Sequence, residues 1–442
     1  MNKNRVLKNA SWIIGFQVVK SLLGLVISML TARFLGPSNF GLINYAASIV
    51  AFVSPIMYLG LTGVLVQEIV NRPESEGKIL GTAISLSFFS SLLCIGGVIA
   101  FVNIANKGER DTIIVCALYS ILLIFQSLEM IVYWFQAKLL SKYSSIVSLI
   151  AYLLVSAYKI FLLTTKKSVY WFAVSNALDC MIIAVCLLIV YRKLGGQKLR
   201  FSFADAKRML SKSRYYIISN MMITIFAQTD RIMLKLMIDD AATGYYSAAV
   251  TCAGMTGFIF SAIIDSFRPM IFDNKKTDER QYENNMCRLY SIIIYLSLLQ
   301  SVVITVFSKL IIHILYGSAY DPSINALRLI VWYTTFSYLG SVRNIWILAE
   351  DKQKYLWIIN LSGAAANVLL NYFLIPVMGI MGAALASLVT QIFTNVIIGF
   401  IIKPIRYNNT LMFRALNPVY LKGIAKMLLS KLKHKQVPEE NI

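Results

Sequence analysis

The chain has 442 residues, 58% of them hydrophobic and only 14% charged, with a mean hydropathy of +0.67. A soluble fold of this length must present mostly polar groups to water, so this composition excludes a soluble enzyme, and a disordered or fibrous chain as well. Lys and Arg outnumber Asp and Glu by 42 to 21, a net charge of +21; in a membrane chain that excess reflects loop bias and anionic lipid as partner, not nucleic acid.

A bilayer core takes about 20 apolar residues of helix. Apolar stretches at 10–33, 41–66, 81–102, 112–135, 143–163, 169–191, 215–238, 244–271, 289–315, 323–349, 355–375 and 379–402 predict an all-α integral membrane protein of twelve transmembrane helices. The first stretch is too long for a cleavable signal peptide, carries Lys20 in mid-span and lacks a small-residue cleavage site, so it reads as a retained anchor. Loops on the N-terminal side hold 29 cations and the opposite loops five (Arg33, Lys107, Arg110, Lys166, Lys167). That asymmetry places both termini in the cytoplasm. The six cysteines (Cys94, Cys116, Cys180, Cys186, Cys252, Cys287) lie in or beside apolar stretches without a CxxC pair and read as buried reduced thiols.

The longest polar loop, 192–214, divides the spans into bundles of six, 1–191 and 215–402. Within this basic linker, Ser202 with Asp205 three residues on resembles a helix start, and Phe203, Ala206, Met209 and Leu210 give a short amphipathic helix its apolar side. The basic tail, 403–442, holds a second such pattern from Pro418 to Lys433, suited to an anionic leaflet. The halves echo each other: Phe40-Gly41-Leu42-Ile43-Asn44-Tyr45-Ala46-Ala47 after the first span corresponds to Thr243-Gly244-Tyr245-Tyr246-Ser247-Ala248-Ala249 after the seventh. Six spans per half start both halves on one side, so the bundles are related by a pseudo-two-fold along the membrane normal, with a cleft between them.

Several of these words resemble one family. Ala32-Arg33-Phe34-Leu35-Gly36-Pro37-Ser38-Asn39-Phe40-Gly41 is similar to the turn between the first two helices of bacterial polysaccharide flippases, the Wzx type of the MOP (multidrug/oligosaccharidyl-lipid/polysaccharide) superfamily. Thr229-Asp230-Arg231-Ile232-Met233-Leu234, Leu315-Tyr316-Gly317-Ser318-Ala319-Tyr320, and the stretch from Asn367 through Asn371, Ile375-Pro376 and Gly379-Ile380-Met381-Gly382-Ala383-Ala384 to Gln391 resemble its seventh helix, its turn after the ninth, and its last two helices. The resemblance implies a MATE-like fold that moves undecaprenyl-pyrophosphate-linked oligosaccharide, of O-antigen, capsule or exopolysaccharide, to the outer leaflet of the bacterial inner membrane. It also implies a polymerase and a chain-length regulator as partners in assembly, and no cofactor.

Ionisable groups inside a membrane are costly, so each one asks for a reason. The spans hold eight cations and four anions, and an anionic cargo would balance the surplus. Lys20, Lys159, Arg231, Lys235, Arg268 and Arg328 are the candidate substrate-binding cations; Lys20 and Arg268 look most like the family's cavity residues, although the second helix, unlike the family's, offers no cation. Lys309 reads as a snorkelling side chain, and snorkelling accounts for Arg343 at least as well as cargo binding does. Asp179, Glu129 and Asp265 are candidates for proton coupling, with Lys159 as a partner that cargo would draw away from Asp179. The spacing of Asp265 and Arg268 also permits an intrahelical pair, and Asp230 reads as pairing with a neighbouring helix. Pro55 marks a kink or hinge in the second helix.

The chain has no GxxxxGK[ST], HExxH or GxSxG and only two histidines, His313 and His434, so neither ATP hydrolysis, a metal centre nor enzymatic catalysis is expected. The rival reading is a cation-coupled multidrug exporter of the same superfamily, which would want carboxylates on the first helix. Topology is directly testable. Cysteines at Ser38, Lys166 or Ser318 should label with impermeant reagents from outside intact cells, and those at Ser202 or Lys276 only after permeabilisation; the inverse pattern would reverse the orientation.

Overall fold

The computed structural model describes residues 3–421, and side chains from residue 18 onward. The part of the expected tail helix that follows Leu421 lies outside the described residues. Among them the fold is helical throughout, without a strand. In chain order the long helices are α1 (3–35) and α2 (37–57), α3 (Glu76–Ala105), α4 (Arg110–Ala137), α5 (Ser141–Thr164), α6 (Val169–Lys193), α7 (Phe203–Met237), α8 (Asp240–Gly254 continued by Gly257–Thr277), α9 (Glu279–Leu315), α10 (Ser323–Ala349), α11 (Leu356–Met378) and α12 (Ile380–Ile401). Each expected span falls on one of them.

Among the described residues eight helical stretches are long and apolar enough to cross a bilayer, and the two pieces of α8, bent by 44°, make nine. One of the eight runs from Val18 to Met57 and takes in α2 with the part of α1 from Val18 onward, because the backbone breaks only at Gly36, where φ is 72°. A β-carbon disfavours that conformation, which is why glycine sits at this turn. The helices that fall short on apolarity, α7 and α10, are those carrying Asp230, Arg231, Lys235, Arg328 and Arg343. Of these, Asp230, Lys235 and Arg343 are buried in protein, whereas Arg328 is exposed.

The expected short linker helix is no separate element. It starts as expected, with Ser202 Oγ accepting from Asp205 N at 3.3 Å, but it runs unbroken into α7. Ion pairs fix its first turns to the helix Leu65–Asn71: Arg208 and Lys212 meet the buried Glu68 at 3.0 and 2.6 Å, and Arg72 meets Asp205 at 3.3 Å. A helix so anchored on its polar side has no reason to end before the apolar run that follows.

Helices α1–α6 pack on one another, as do α7–α12, and the two sets meet where α1 and α2 face α7 and α8. Large apolar side chains such as Leu93, Ile104, Val306 and Val377 point outward, the arrangement a lipid solvent requires. Buried hydroxyls such as Ser120, Ser127 and Thr390 donate to carbonyls one turn back, leaving no polar edge. All six cysteines are free thiols, four of them buried.

The turns at Gly36, Gly108, Gly317 and Gly379 define one end of the bundle; the linker 192–202 lies at the other. At the Gly36 end α2 and α8 cross in backbone contact. A β-carbon on Gly41 would sit 1.7 Å from Asp240 O, and one on Gly244 would sit 2.1 Å from Pro37 O. The contacts are reciprocal, each glycine meeting the residue four positions before the other. The two turns that echo each other in sequence therefore pack against one another. Neither overlap is relieved by a side-chain rotation, so Gly41→Val or Gly244→Val should cost about 1–3 kcal/mol and lower the melting temperature in detergent. Gly96→Ala, with nothing within 4 Å of the new methyl, should not.

Candidate functional site

α1, α4, α5 and α6 bring four of the expected residues into one neighbourhood. Lys20 Nζ lies 5.5 Å from the centre of the Tyr152 ring. Lys159 Nζ donates to Asn176 Oδ1 at 3.0 Å, one turn before Asp179, instead of forming the expected ion pair. Asp179 lies within electrostatic range of Lys20 and Lys159, and Glu129 within range of Asp179 and Lys20. Asp179 Oδ1 and Glu129 Oε1 are buried without a hydrogen-bond partner. This cluster is polar, mixed in charge and incompletely satisfied.

The second set holds a different device. Asp230 on α7 is buried and accepts from Asn371 Nδ2 at 2.6 Å and Asn367 Nδ2 at 3.2 Å, and also from Tyr246 Oη and Ser387 Oγ. One carboxylate thus binds α7, α8, α11 and α12 together. Neighbouring Arg231 turns to Ser247 Oγ (3.1 Å) and Gln228 Oε1 (3.2 Å), and Arg328 to Ser308 Oγ and Asn325 Oδ1. Asn367 and Asn371 are four apart in an apolar helix and therefore share a face. That spacing was the available sequence signal for a buried polar partner.

Three candidate assignments change. Lys235 does not face the cleft with Arg231: it is buried at the Gly36 end, with Nζ 2.6 Å from Glu109 Oε2 and 2.8 Å from Asp240 Oδ2. A buried ammonium needs acids, and two loop carboxylates supply them. Arg268 and Asp265 pair within their own helix at 3.0 Å, both about half exposed. Arg343 does not snorkel; it is buried, with Nη1 donating to Thr394 O at 2.5 Å. That carbonyl belongs to a π-helical turn, Phe393–Ile397, which no periodicity in the sequence announces.

The Lys235 triad spans the two sets, since Glu109 lies between α3 and α4 while Asp240 opens α8. Arg33 adds bonds to the carbonyls of His313 (3.2 Å) and Ile314, and Tyr320 Oη donates to Ala32 O at 2.9 Å. The Gly36 end is closed by these contacts around the glycine crossing. Cavities also lie along the interface: one of about 570 Å³ at the Gly36 end itself beside Glu109, Lys235 and Asp240, one of about 310 Å³ between α1 and α8 beside Ser21, Gly24 and Thr251, and one of about 380 Å³ between α2 and α7 beside Ser54, Pro55 and Gln228. Taken together, α1 and α2 follow the first piece of α8 closely but meet the second only briefly. Among the described residues no cluster of His, Cys, Asp and Glu is placed to hold a metal.

Two helical sets meeting at one closed end, with cavities along their interface, are the architecture of a membrane transporter. Residues 6–275 match the model of the family described as polysaccharide biosynthesis protein. The chain belongs to this family, and it is a multi-pass membrane transporter, not an enzyme. It is 21% identical over 400 residues to a protein of Shigella flexneri named "Putative O-antigen transporter", covering 86% of this chain and 94% of that one. A protein of the same name from Escherichia coli (strain K12) is 20% identical over 403 residues, covering 88% and 95%. Among solved structures, the lipid II flippase MurJ in an inward closed conformation superimposes with a TM-score of 0.72 at 14% identity, covering 93% of this chain and 92% of that one. An inward-facing MATE family multidrug transporter of the MOP superfamily gives 0.64 at 13% identity, covering 88% and 96%. The fold is thus the MATE-like fold of that superfamily.

Burial works to raise the pKa of the Glu109 carboxyl, but hydrogen bonds from Lys235 and Thr112 outweigh it and hold the group below the ordinary carboxylate range. A carboxyl held down contributes stability above its unfolded value, about 4.3, and loses it as pH falls through the lower folded value. The Glu109–Lys235 contact should therefore be indifferent to pH around neutrality. Removing the cation should matter. In a cysteine-free background, Thr243→Cys, buried at the crossing, should react with a soluble thiol reagent at least tenfold faster when Lys235→Met is added; an equal rate would mean the glycine contact closes this end alone.

Proposed function

We propose that the chain flips undecaprenyl-pyrophosphate-linked oligosaccharide repeat units from the cytoplasmic to the outer leaflet of the bacterial cytoplasmic membrane by alternating access, with both termini in the cytoplasm. The observation that carries this reading is that the two helical sets are held together by backbone contact and ion pairs at the Gly36 end and part into cavities toward the linker end, the side to which the loop cations point as cytoplasmic. The O-antigen transporter relatives support a saccharide cargo. Lys20 on α1 is the proposed holder of the pyrophosphate, with Arg231 in support. Lys159 and Asp179 form the proposed coupling pair, Asp179 taking up a proton when cargo engages the lysine, with Glu129 in reach of the same charges. The bundles 1–191 and 215–402 rock about the Gly41–Gly244 crossing, and polymerase and chain-length regulator are the proposed neighbours in assembly.

The experiment is complementation of a deletion strain, scoring lipid-linked sugar accumulation and surface polysaccharide against toxic-cation resistance. Wild type should restore polysaccharide and leave resistance unchanged; the reverse would favour the multidrug exporter. Lys20→Ala at normal protein level should abolish export while Lys20→Arg retains part of it. Asp179→Asn should impair export. If Asp179→Asn with Lys159→Met exports normally and still responds to collapse of the proton gradient, the pair is not the coupling site.

A further inference from the structure

Arg343 is the least compensated charge of the second helical set. Its side chain is 5% exposed. Nη1 donates to Thr394 O at 2.5 Å and Nη2 to Asn344 Oδ1 at 3.3 Å, both neutral acceptors. Nε is buried with no acceptor. Among the described residues no carboxylate lies within ion-pair distance of it. A guanidinium buried this way is ordinarily matched by an anion, because neutral dipoles replace only part of its lost hydration.

The same side chain lines a cavity of about 280 Å³, with Asn344, Asn360, Gln391, Tyr333 and Phe226 among the walls. That is the liquid volume of roughly nine waters, room for one sugar ring and not for a lipid tail. Amides donate and accept at once, as sugar hydroxyls do, and the rings offer flat apolar surfaces for a sugar's C–H face. Ile223 and Ala227 of α7 border both this cavity and the one between α2 and α7. The pocket therefore adjoins the interface between the two sets.

We infer that the Arg343 pocket is a subsite for a carboxylate-bearing sugar, a hexuronate, of the transported saccharide. The inference rests on the transport reading above and names the chemical class of its cargo. One guanidinium balances one negative charge, and its fork of donors matches a carboxylate. A pyrophosphate carries more charge than this site neutralises.

The test uses the full chain purified into lipid nanodiscs, with trigalacturonate, maltotriose and inorganic phosphate as probes in titration calorimetry. Trigalacturonate should bind and maltotriose should bind at least tenfold more weakly. Arg343→Gln should weaken trigalacturonate at least tenfold, and Arg343→Lys should keep part of the affinity. Ser341→Phe fills the mouth from an exposed position without touching the partners of Arg343, so it should block binding in a protein of unchanged melting temperature, and it decides the matter if Arg343→Gln fails to fold. Equal binding of maltotriose, phosphate binding as tight as trigalacturonate, absence of trigalacturonate binding, or unaltered affinity in Ser341→Phe would each overturn the inference. Flipping of a neutral lipid-linked oligosaccharide is measured in parallel vesicles. Failure of the wild type to flip either this lipid or its hexuronate-bearing counterpart would overturn the transport reading, whereas flipping of either without hexuronate binding would overturn the subsite alone.

Discussion

At the Gly36 end, Gly41 and Gly244 bring the backbones of α2 and α8 together so closely that a β-carbon on either would overlap a carbonyl oxygen of the other helix. Everything else about the interface follows from that contact. It sets the distance between the two helical sets and brings Glu109 and Asp240 to opposite sides of Lys235. Small residues at helix crossings are how membrane proteins obtain tight packing, since lipid supplies no hydrophobic drive between helices. Here the contact is doubled, because each glycine comes from the same place in its own half.

The intramembrane charges divide by how completely the protein satisfies them. Asp230 is saturated by four donors from three helices and acts as a rivet. Lys235 has two acids, and Arg268 has Asp265. Among the described span charges, Asp179 and Glu129 in the first set and Arg343 in the second each keep a buried atom without a partner. A buried polar atom without a partner is expensive in a medium without water. At such atoms a visiting group finds a bonding position that the saturated residues no longer offer.

The spans, the turn at Gly36 and the correspondence of the two halves were legible in the sequence, because hydropathy, a glycine and a repeated turn are local signals. The clustering of Lys20, Lys159 and Asp179 was partly legible: depth along each helix indicated that they share a level, though not that Lys159 would bond Asn176. Partners that depend on loops were out of reach. Glu109 carries no intramembrane signal, so nothing pointed it at Lys235. Arg343 stayed open between snorkelling and cargo binding because its distance from the helix end fits both, and only the packing of α10 against the π-turn of α12 buries it. Likewise Ser202 announced the start of α7, but no residue announced that the helix would continue through the linker.

That continuity has a mechanical consequence. α7 is a single helix of 35 residues, a beam about 50 Å long. Its first turns are bolted to the first set through Glu68 and the bond from Ser213 Oγ to Leu59 O, and its last turns to the second set through Asp230. The halves are thus joined by a stiff member rooted in both, not by a slack tether. Any rocking between them loads this beam in bending, and the strain collects between its two anchorages, where Thr224 bonds back to the carbonyl of Asn220 and softens the helix. Phase matters as much as stiffness: each residue turns a helix by about 100°, so the number of residues between Glu68's partners and Asp230 fixes the angle at which one half faces the other.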